Sequence, residues 1–245
     1  MDMSEAIIAA RQGGPGVAAV PATGAVSVAQ AYAAQDATAK AMGGIAGWKG
    51  GPDAGAWGAL ASPIMAGSVR PSPAIYKAAG FRIVGVEPEI AFVFGTALAA
   101  GTAPEAEAIL NAVASAHIAI EVCDTRIEPW RDAAKAWKLA DCQANAGLVL
   151  GDAFQGWRTR DWKTQAAQIT ADGKVIGQGV GSLAHGSPLD VLVAVARHIA
   201  RDRGGVAPGT AITTGSWCGL LEVPRGAQVV ASFAGLGEAK VSFPL

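Results

Sequence analysis

Charge is scarce in this chain of 245 residues: Asp, Glu, Lys and Arg together make up 16%, and the net charge is −1. Without a basic excess or stripe, the electrostatic footprint of a nucleic-acid binder is missing. No uninterrupted apolar stretch approaches the ~20 residues of a membrane-spanning helix, although 51% of the residues are hydrophobic. Much of that apolar count is alanine, which suits tight helix packing and oligomer surfaces. Cysteine is sparse, with Cys123, Cys142 and Cys218 far apart and odd in number. That excludes a disulfide framework or zinc knuckle and points to a reducing compartment. The opening Met1-Asp2-Met3-Ser4-Glu5 has neither the basic start nor the apolar h-region of a secretory signal, so a cytoplasmic protein is expected. The glycines of Gly177-Gln178-Gly179-Val180-Gly181 lack dinucleotide spacing and context. There is no internal repeat and no domain linker.

A chain of this size and apolarity can bury a full core. Residues 1–46 read as an N-terminal helical segment, with a capping box at Ser27 and Gln30 opening a helix to about Met42. Residues 47–245 read as one β-rich body. Gly47-Trp48-Lys49 starts it as a strand, and residues 50–82, studded with Gly, Pro and Ser, read as a long loop of the kind that serves as a lid. Thr102 and Glu105 suggest a helix to about Ser115, and Asp172-Gly173 marks a hairpin between two alternating segments. Ser187, Pro188 and Asp190 open a helix that Gly204-Gly205 closes. Strands dominate the second half without alternating with helices, which favours α+β over a doubly wound sheet.

The most informative local pattern is Val84-Gly85-Val86-Glu87-Pro88-Glu89-Ile90-Ala91-Phe92. Side chains alternate along a strand, so Glu87 and Glu89 share one face while Val86, Ile90 and Phe92 form a core on the other. Gly85 and Ala91 are too small to shield the acids. His117-Ile118-Ala119-Ile120-Glu121-Val122-Cys123 repeats the layout, with Glu121 set among Ala119 and Cys123. Two carboxylates ~4 Å apart repel by about 4 kcal/mol at an effective dielectric near 20. If they meet, something positive must lie between them, and a hard divalent cation with oxygen ligands is the natural candidate. Alternate strand glutamates on a solvated face are the bland alternative.

The order Gly47-Trp48-Lys49, Glu87-Pro88-Glu89-Ile90-Ala91-Phe92, Ile120-Glu121-Val122 and Asp124-Thr125-Arg126-Ile127 resembles the 2-keto-4-pentenoate hydratase family of the fumarylacetoacetate hydrolase superfamily. The likeness continues through Ala140-Asp141, Leu148-Val149-Leu150-Gly151, Gly186-Ser187-Pro188-Leu189, Thr213-Thr214-Gly215-Ser216 and Gly235-Leu236-Gly237. It implies a mixed β-barrel or roll with helices packed outside, and a Mg²⁺ or Mn²⁺ ion held by Glu87, Glu89 and Glu121. It also implies a small 2-oxo acid substrate that chelates the ion through its carboxylate and 2-oxo oxygens. The ion then acts as a Lewis acid toward the charge that develops on the 2-oxygen.

Lys49 matches the family's active-site lysine; an ammonium there would bind the substrate carboxylate or shuttle a proton, with a pKa lowered by burial or nearby cationic charge. Asp141 stands in the family's Ala-Asp-Asn motif, although Cys142 replaces the asparagine; it would orient a ligand or water, or cap a helix. Thr214 and Ser216 are candidates for the substrate carboxylate. Arg70, with Lys77 and Arg82, is placed to read a second carboxylate from the lid. Asp124 with Arg126, and His117, His185 and His198, read as structural. The family's acid before the aromatic-Gly pair is Ala56 here, with Asp53 the nearby substitute, which unsettles the reaction type but not metal chelation. No histidine precedes His117, which counts against the hydrolases of the superfamily. The expected activity is hydration of a small 2-hydroxydienoate in aromatic catabolism. The alternatives are decarboxylation of a 2-oxo-hexenedioate-type acid and a weakly catalytic partner subunit. A homo-oligomer, alone or complexed with a homologous decarboxylase or hydratase, is expected.

Overall fold

A computed structural model describes residues 2–18, 26–52, 55–181 and 186–245. The chain begins with α1 (Met3–Arg11), β1 (Val17–Ala18), α2 (Val28–Ala41), β2 (Ile45–Pro52) and β3 (Ala59–Met65). It continues through β4 (Val69–Pro71), β5 (Ala74–Ile75), β6 (Gly85–Phe94), α3 (Ala106–Asn111), β7 (Val113–Cys123) and β8 (Ile127–Glu128). Next come α4 (Lys135–Ala140), β9 (Asn145–Phe154), β10 (Ala166–Ala171), β11 (Lys174–Val180) and α5 (Pro188–Asp202). The last strands are β12 (Ala211–Thr213), β13 (Leu221–Glu222), β14 (Gln228–Phe233) and β15 (Gly237–Ser242).

Eight strands form the large mixed sheet in the order β3-β2-β12-β6-β7-β9-β4, with β13 added to β6. Its ends curl, because β3 approaches β9 across the open side, and the result is a half-barrel. A five-stranded sheet, β11-β10-β14-β15-β5, lays β15 across β7 and β9. The main core fills the space between the sheets: Phe92, Ile118 and Ile120 from one meet Ile169, Val229 and Phe233 from the other. Trp217 meets Phe233 edge-on at 5.2 Å between ring centroids. Gly151 allows the close crossing, since a Cβ there would run into the backbone of Glu238 and Ala239.

The helices follow their sequence signals. Ser27 and Gln30 form the expected capping box on α2, and Ser187 and Asp190 form one on α5. Val191, Leu192, Val195 and Ile199 of α5 are buried against β2 and β3. The N-terminal helices pack onto α4 through Ile7, Ala31, Ala34 and Leu139. Asp172 (φ 50°) and Gly173 (φ 77°) make the β10–β11 turn, both left-handed as a tight hairpin requires.

Two expectations fail. Residues 50–82 are not one structureless lid, because β3, β4 and β5 lie within them. Pro63 hides β3 in the sequence; the strand tolerates it because β3 is an edge, paired only to β2 with Pro63 opposite Trp48. The helix expected from Thr102 to Ser115 shrinks to α3, whose N-cap is Glu105 without a side-chain bond, and β7 takes over at Val113. Thr102 instead bonds the carbonyl of Ala99. Asp53 and His185 lie outside the described residues.

Candidate metal and substrate centre

Register builds the site. β6 and β7 run antiparallel with Glu87 opposite Glu121, Glu89 opposite Ala119 and Gly85 opposite Cys123. All these side chains share the face away from the main core. The same alternation on β2 sends Trp48 into the core and Lys49 to the acids, since Gly47 pairs with Ala211 and Trp48 with Ile212 on β12. Ala91, Ala119, Leu148, Ala211 and Ile64 line the rest of that face as a small apolar floor.

The ammonium of Lys49 lies between acids. Its Nζ is 2.6 Å from Glu121 Oε1 and 3.6 Å from Glu87 Oε2. It also donates to the carbonyl of Gln143 at 3.1 Å. That carbonyl is presented by an unusual backbone: Cys142, Gln143 and Ala144 are all left-handed, with φ of 53°, 53° and 63°. Such a conformation costs a residue with a Cβ roughly 1–2 kcal/mol, so the surroundings must hold it. They do so from both sides. Gln143 Oε1 accepts from Ser62 Oγ at 2.9 Å, and Ser62 Oγ accepts from Gln35 Nε2 at 2.8 Å. Gln35 Oε1 in turn accepts from Arg203 at 3.0 Å. Beneath the turn, Arg126 donates to both Asp141 oxygens, from Nε to Oδ1 at 2.5 Å and from its backbone N–H to Oδ2 at 2.9 Å.

Glu121 accepts from Asn145 Nδ2 at 3.0 Å through Oε1, while Oε2 is buried with no hydrogen-bond partner. Glu89 accepts from the Gly215 amide at 3.0 Å. Cys123 Sγ donates toward Glu87 Oε2 at 3.5 Å and Glu121 Oε1 at 3.7 Å. Burial, then the charges of Glu121 and Glu87, push the Glu89 carboxyl well above the ordinary range. Burial also raises Glu121, against the pull of Lys49. For Lys49, burial opposes the charge, but Glu121, Glu87, Cys123 and Glu89 outweigh it and hold the pKa well above the usual lysine value. The expected lowering of Lys49 is therefore corrected: the neighbours that decide its charge are acids, not cations. A lysine held protonated is also a poor amine nucleophile, which disfavours Schiff-base chemistry.

Other expected site residues are placed as follows. Asp141 is buried with both carboxylate oxygens occupied by Arg126 and a further contact from Thr125 Oγ1 at 3.4 Å, so it supports the turn rather than facing the acids. Thr214 is buried and spends its hydroxyl on the Ile90 carbonyl at 2.9 Å. Ser216 bonds the Gly219 carbonyl at 2.9 Å within a turn. Both hydroxyls are committed to backbone carbonyls. Arg70 lies on β4 at the sheet edge, bonded to the Ile75 carbonyl and stacked 4.3 Å over Tyr76, lining a separate cleft. It does not join the acids, because the segment carrying it is strand rather than lid. Arg126 contacts Asp124 at 3.8 Å, as a structural pair should. His117 and His198 have local partners, Gly151 O and Ser115 for one, Tyr32 and Asp202 for the other.

Sequence reasoning missed Thr213, buried with its hydroxyl beside Glu89, and the backbone of Gln143. Thr213 was legible as the alternate of Thr214 on β12: the residue opposite Ala91 shares the glutamate face. A cavity of about 390 Å³ is lined by Leu60, Trp130, Leu139, Asp141, Gln143 and Leu220, with Lys135 and Lys138 at its wall; Gln143, whose carbonyl holds Lys49, is its link to the cluster.

The α+β half-barrel thus carries Glu87, Glu89, Glu121 and the buried Lys49 on one face. The chain belongs to the fumarylacetoacetate (FAA) hydrolase C-terminal family, which it matches over residues 28–243. It is 31% identical over 194 residues to a 2-keto-4-pentenoate hydratase of Paraburkholderia phymatum, covering 79% of this chain and 71% of the relative. A 4-oxalocrotonate decarboxylase of a Pseudomonas species is 28% identical over 160 residues, 64% of this chain and 59% of that relative. Among solved structures, 4-oxalocrotonate decarboxylase from Pseudomonas putida G7, complexed with magnesium and adipate, superposes with a TM-score of 0.82 at 20% identity. That superposition covers 98% of this chain and 95% of the other. Among the described residues no helix is long and apolar enough to cross a membrane.

Proposed function

We propose that this protein is a divalent-metal-dependent hydratase of a small 2-hydroxydienoate or 2-oxo-enoic acid. The observation that carries the reading is that Glu87, Glu89 and Glu121 share one face of the β6–β7 ladder, with the Lys49 ammonium paired to Glu121 and Glu87. The residues present fit a dication: the buried Glu121 Oε2 has no partner, and one lysine cannot offset three carboxylates. Glu87, Glu89 and Glu121 would hold Mg²⁺ or Mn²⁺, which supplies Lewis-acid charge at the substrate's 2-oxygen. The magnesium-bound decarboxylase of the same fold and the hydratase relative support this.

The chain's own residues do the rest. Lys49 keeps a proton on Nζ next to Glu121, ready to hold a carboxylate or deliver that proton to a substrate carbon. The Gln143 carbonyl fixes the direction of Nζ. The Thr213 hydroxyl lies beside Glu89, within the pocket where a substrate oxygen would bind. Leu60, Trp130, Leu139 and Leu220 exclude water from the substrate's carbon chain. The test is loss of dienoate ultraviolet absorbance with Mg²⁺ or Mn²⁺ and without carbon dioxide release, compared between wild type and Glu89→Gln.

A second reading, decarboxylation of a 2-oxo dioic acid, is favoured by Lys135 and Lys138 in the cavity wall, two cations where a distal carboxylate would lie. Carbon dioxide release from 2-oxo-3-hexenedioate, lowered by Lys135→Ala together with Lys138→Ala, would decide for it. Self-association is supported by β11, an edge strand with Val175 and Val180 exposed at 53% and 65%. Light scattering on the purified chain, alone and mixed with a homologous decarboxylase, tests both the homo-oligomer and the mixed complex.

A further inference from the structure

A second cleft, of about 330 Å³, lies between the end of α1 and the segment after β5, and shares no lining residue with the cavity beside the acids. It has the size of a small-ligand site. Its cationic wall is made by Arg11, Lys77 and Arg126. The Arg11 side chain is only 8% exposed. It spends Nη2 on the carbonyls of Asn145 and Asp141, at 3.2 and 3.5 Å, while Nε is buried without a hydrogen-bond partner. Arg126 bonds Asp141 and Asn145 through Nε, Nη2 and its backbone N–H, which leaves Nη1 with a 3.8 Å contact to Asp124. Lys77 is exposed and has no ion pair among the described residues. Burial, and then the charge of Arg126, lower the Arg11 pKa. An anion set against both guanidiniums would relieve that repulsion.

The acids nearby do not cancel this charge. Asp124 also lines the cleft, but its Oδ1 accepts the amides of Arg82 and Ile83 at 2.7 and 3.2 Å, and its Oδ2 faces Arg126. Asp141 touches both arginines. Three cations therefore stand against two acids, a surplus of one positive charge. Unspent guanidinium donors suit the planar oxygens of a carboxylate. The rest of the wall is apolar, with Met42, Met65 and Phe81 facing the same space. A hydrated inorganic oxyanion would leave those side chains uncovered, whereas an organic acid would lay its carbon skeleton on them. We propose that this cleft binds a small organic carboxylate with an apolar body, held through Arg11, Arg126 and Lys77, at a site separate from the acidic pocket.

The test titrates the full-length chain with benzoate by calorimetry, in EDTA so that no bound metal offers the carboxylate another site. Wild type is expected to bind one equivalent with a Kd on the order of 1 mM or below. Neutral benzamide and inorganic phosphate should each bind at least about tenfold more weakly. Lys77→Glu, an exposed change that should leave the melting temperature within about 2 °C of wild type, should weaken benzoate at least about tenfold. Arg11→Met should abolish binding. Lys135→Ala combined with Lys138→Ala, in the cavity beside the acids, should bind benzoate as wild type does. Absence of saturable benzoate binding in wild type overturns the proposal, as does undiminished affinity in Lys77→Glu or for benzamide. Phosphate binding as tightly as benzoate overturns the organic acid. Loss of binding in the Lys135 and Lys138 variant assigns the heat to the other cavity and also overturns it. If Arg11→Met does not fold, Lys77→Glu and the double variant still decide. None of these outcomes bears on the metal centre.

Discussion

The carbonyl of Gln143, displayed by a left-handed turn, accepts a hydrogen bond from Lys49 Nζ at 3.1 Å. The bond couples a strained backbone to the ammonium that pairs with Glu121 and Glu87. A rigid turn aims a flexible lysine at Glu121 and Glu87, and the chain from Arg203 through Gln35 and Ser62 braces that turn.

Lys49→Met should therefore destabilise the metal-free protein strongly. Removing one partner of a buried pair leaves an uncompensated charge and costs about 3–5 kcal/mol. A urea titration should show a lower midpoint with an unchanged slope, and added Mn²⁺ should restore part of the loss. A midpoint equal to wild type would mean that the acids do not depend on this lysine.

Glu89 sets a pH dependence. Its folded pKa lies above the 4.5 of an ordinary glutamate, so the folded state holds its proton longer than the unfolded state does. The resulting stability is present below pH 4.5 and is lost as pH rises through the raised value. Glu89→Gln, which cannot ionise, should flatten the decline and raise the metal-free melting temperature at pH 8 by about 2–4 °C for each 1 kcal/mol recovered. Parallel pH–stability curves for the two proteins would exclude Glu89 as the source.

Divalent ions should stabilise the fold by mass action. At a hundredfold excess over Kd the gain is about 2.7 kcal/mol, read as a rise of roughly 5–10 °C in a thermal melt. Chelation should reverse it, and Glu121→Gln should remove most of it. A wild-type melt that ignores Mg²⁺, Mn²⁺ and Zn²⁺ alike would refute the metal centre.

Asp141→Asn should separate support from chemistry. Its carboxylate neutralises buried Arg126, so the variant should lose about 3–5 kcal/mol of stability. At a temperature where it remains folded, its metal affinity should stay within about threefold of wild type, against a tenfold or larger loss for Glu87→Gln. Arg70→Ala, by contrast, should leave turnover unchanged, since its guanidinium is committed to Ile75 and Tyr76 at the sheet edge.

The acids were legible in the sequence because a strand repeats every two residues, and that period alone places Glu87 with Glu89 and Glu121 with Cys123. Helix starts were legible for an equally local reason, since Ser27 with Gln30 and Ser187 with Asp190 are capping boxes three residues wide. What escaped depends on distant partners. β3 carries Pro63 and becomes a strand only through β2. The left-handed turn at Gln143 contains no glycine and exists because Ser62, Gln35 and Arg126 hold it. The Lys49 charge is decided by strands far away in sequence, which reversed the expected direction of its pKa. Arg70 and Ser216 were read from a loop that is partly sheet and from a turn that satisfies itself.

β6 presents Ile90 and Phe92 to the hydrophobic interior and Glu87 and Glu89 to the opposite side. Gaining or losing a single codon between Gly85 and Phe94 would invert both sets at once, driving carboxylates into hydrocarbon and stranding the aromatics. The length of that segment is thus frozen for folding and for chemistry together. Divergence of this enzyme toward new acids can proceed only by exchanging side chains in place, or by remodelling the loops around the cavity mouth.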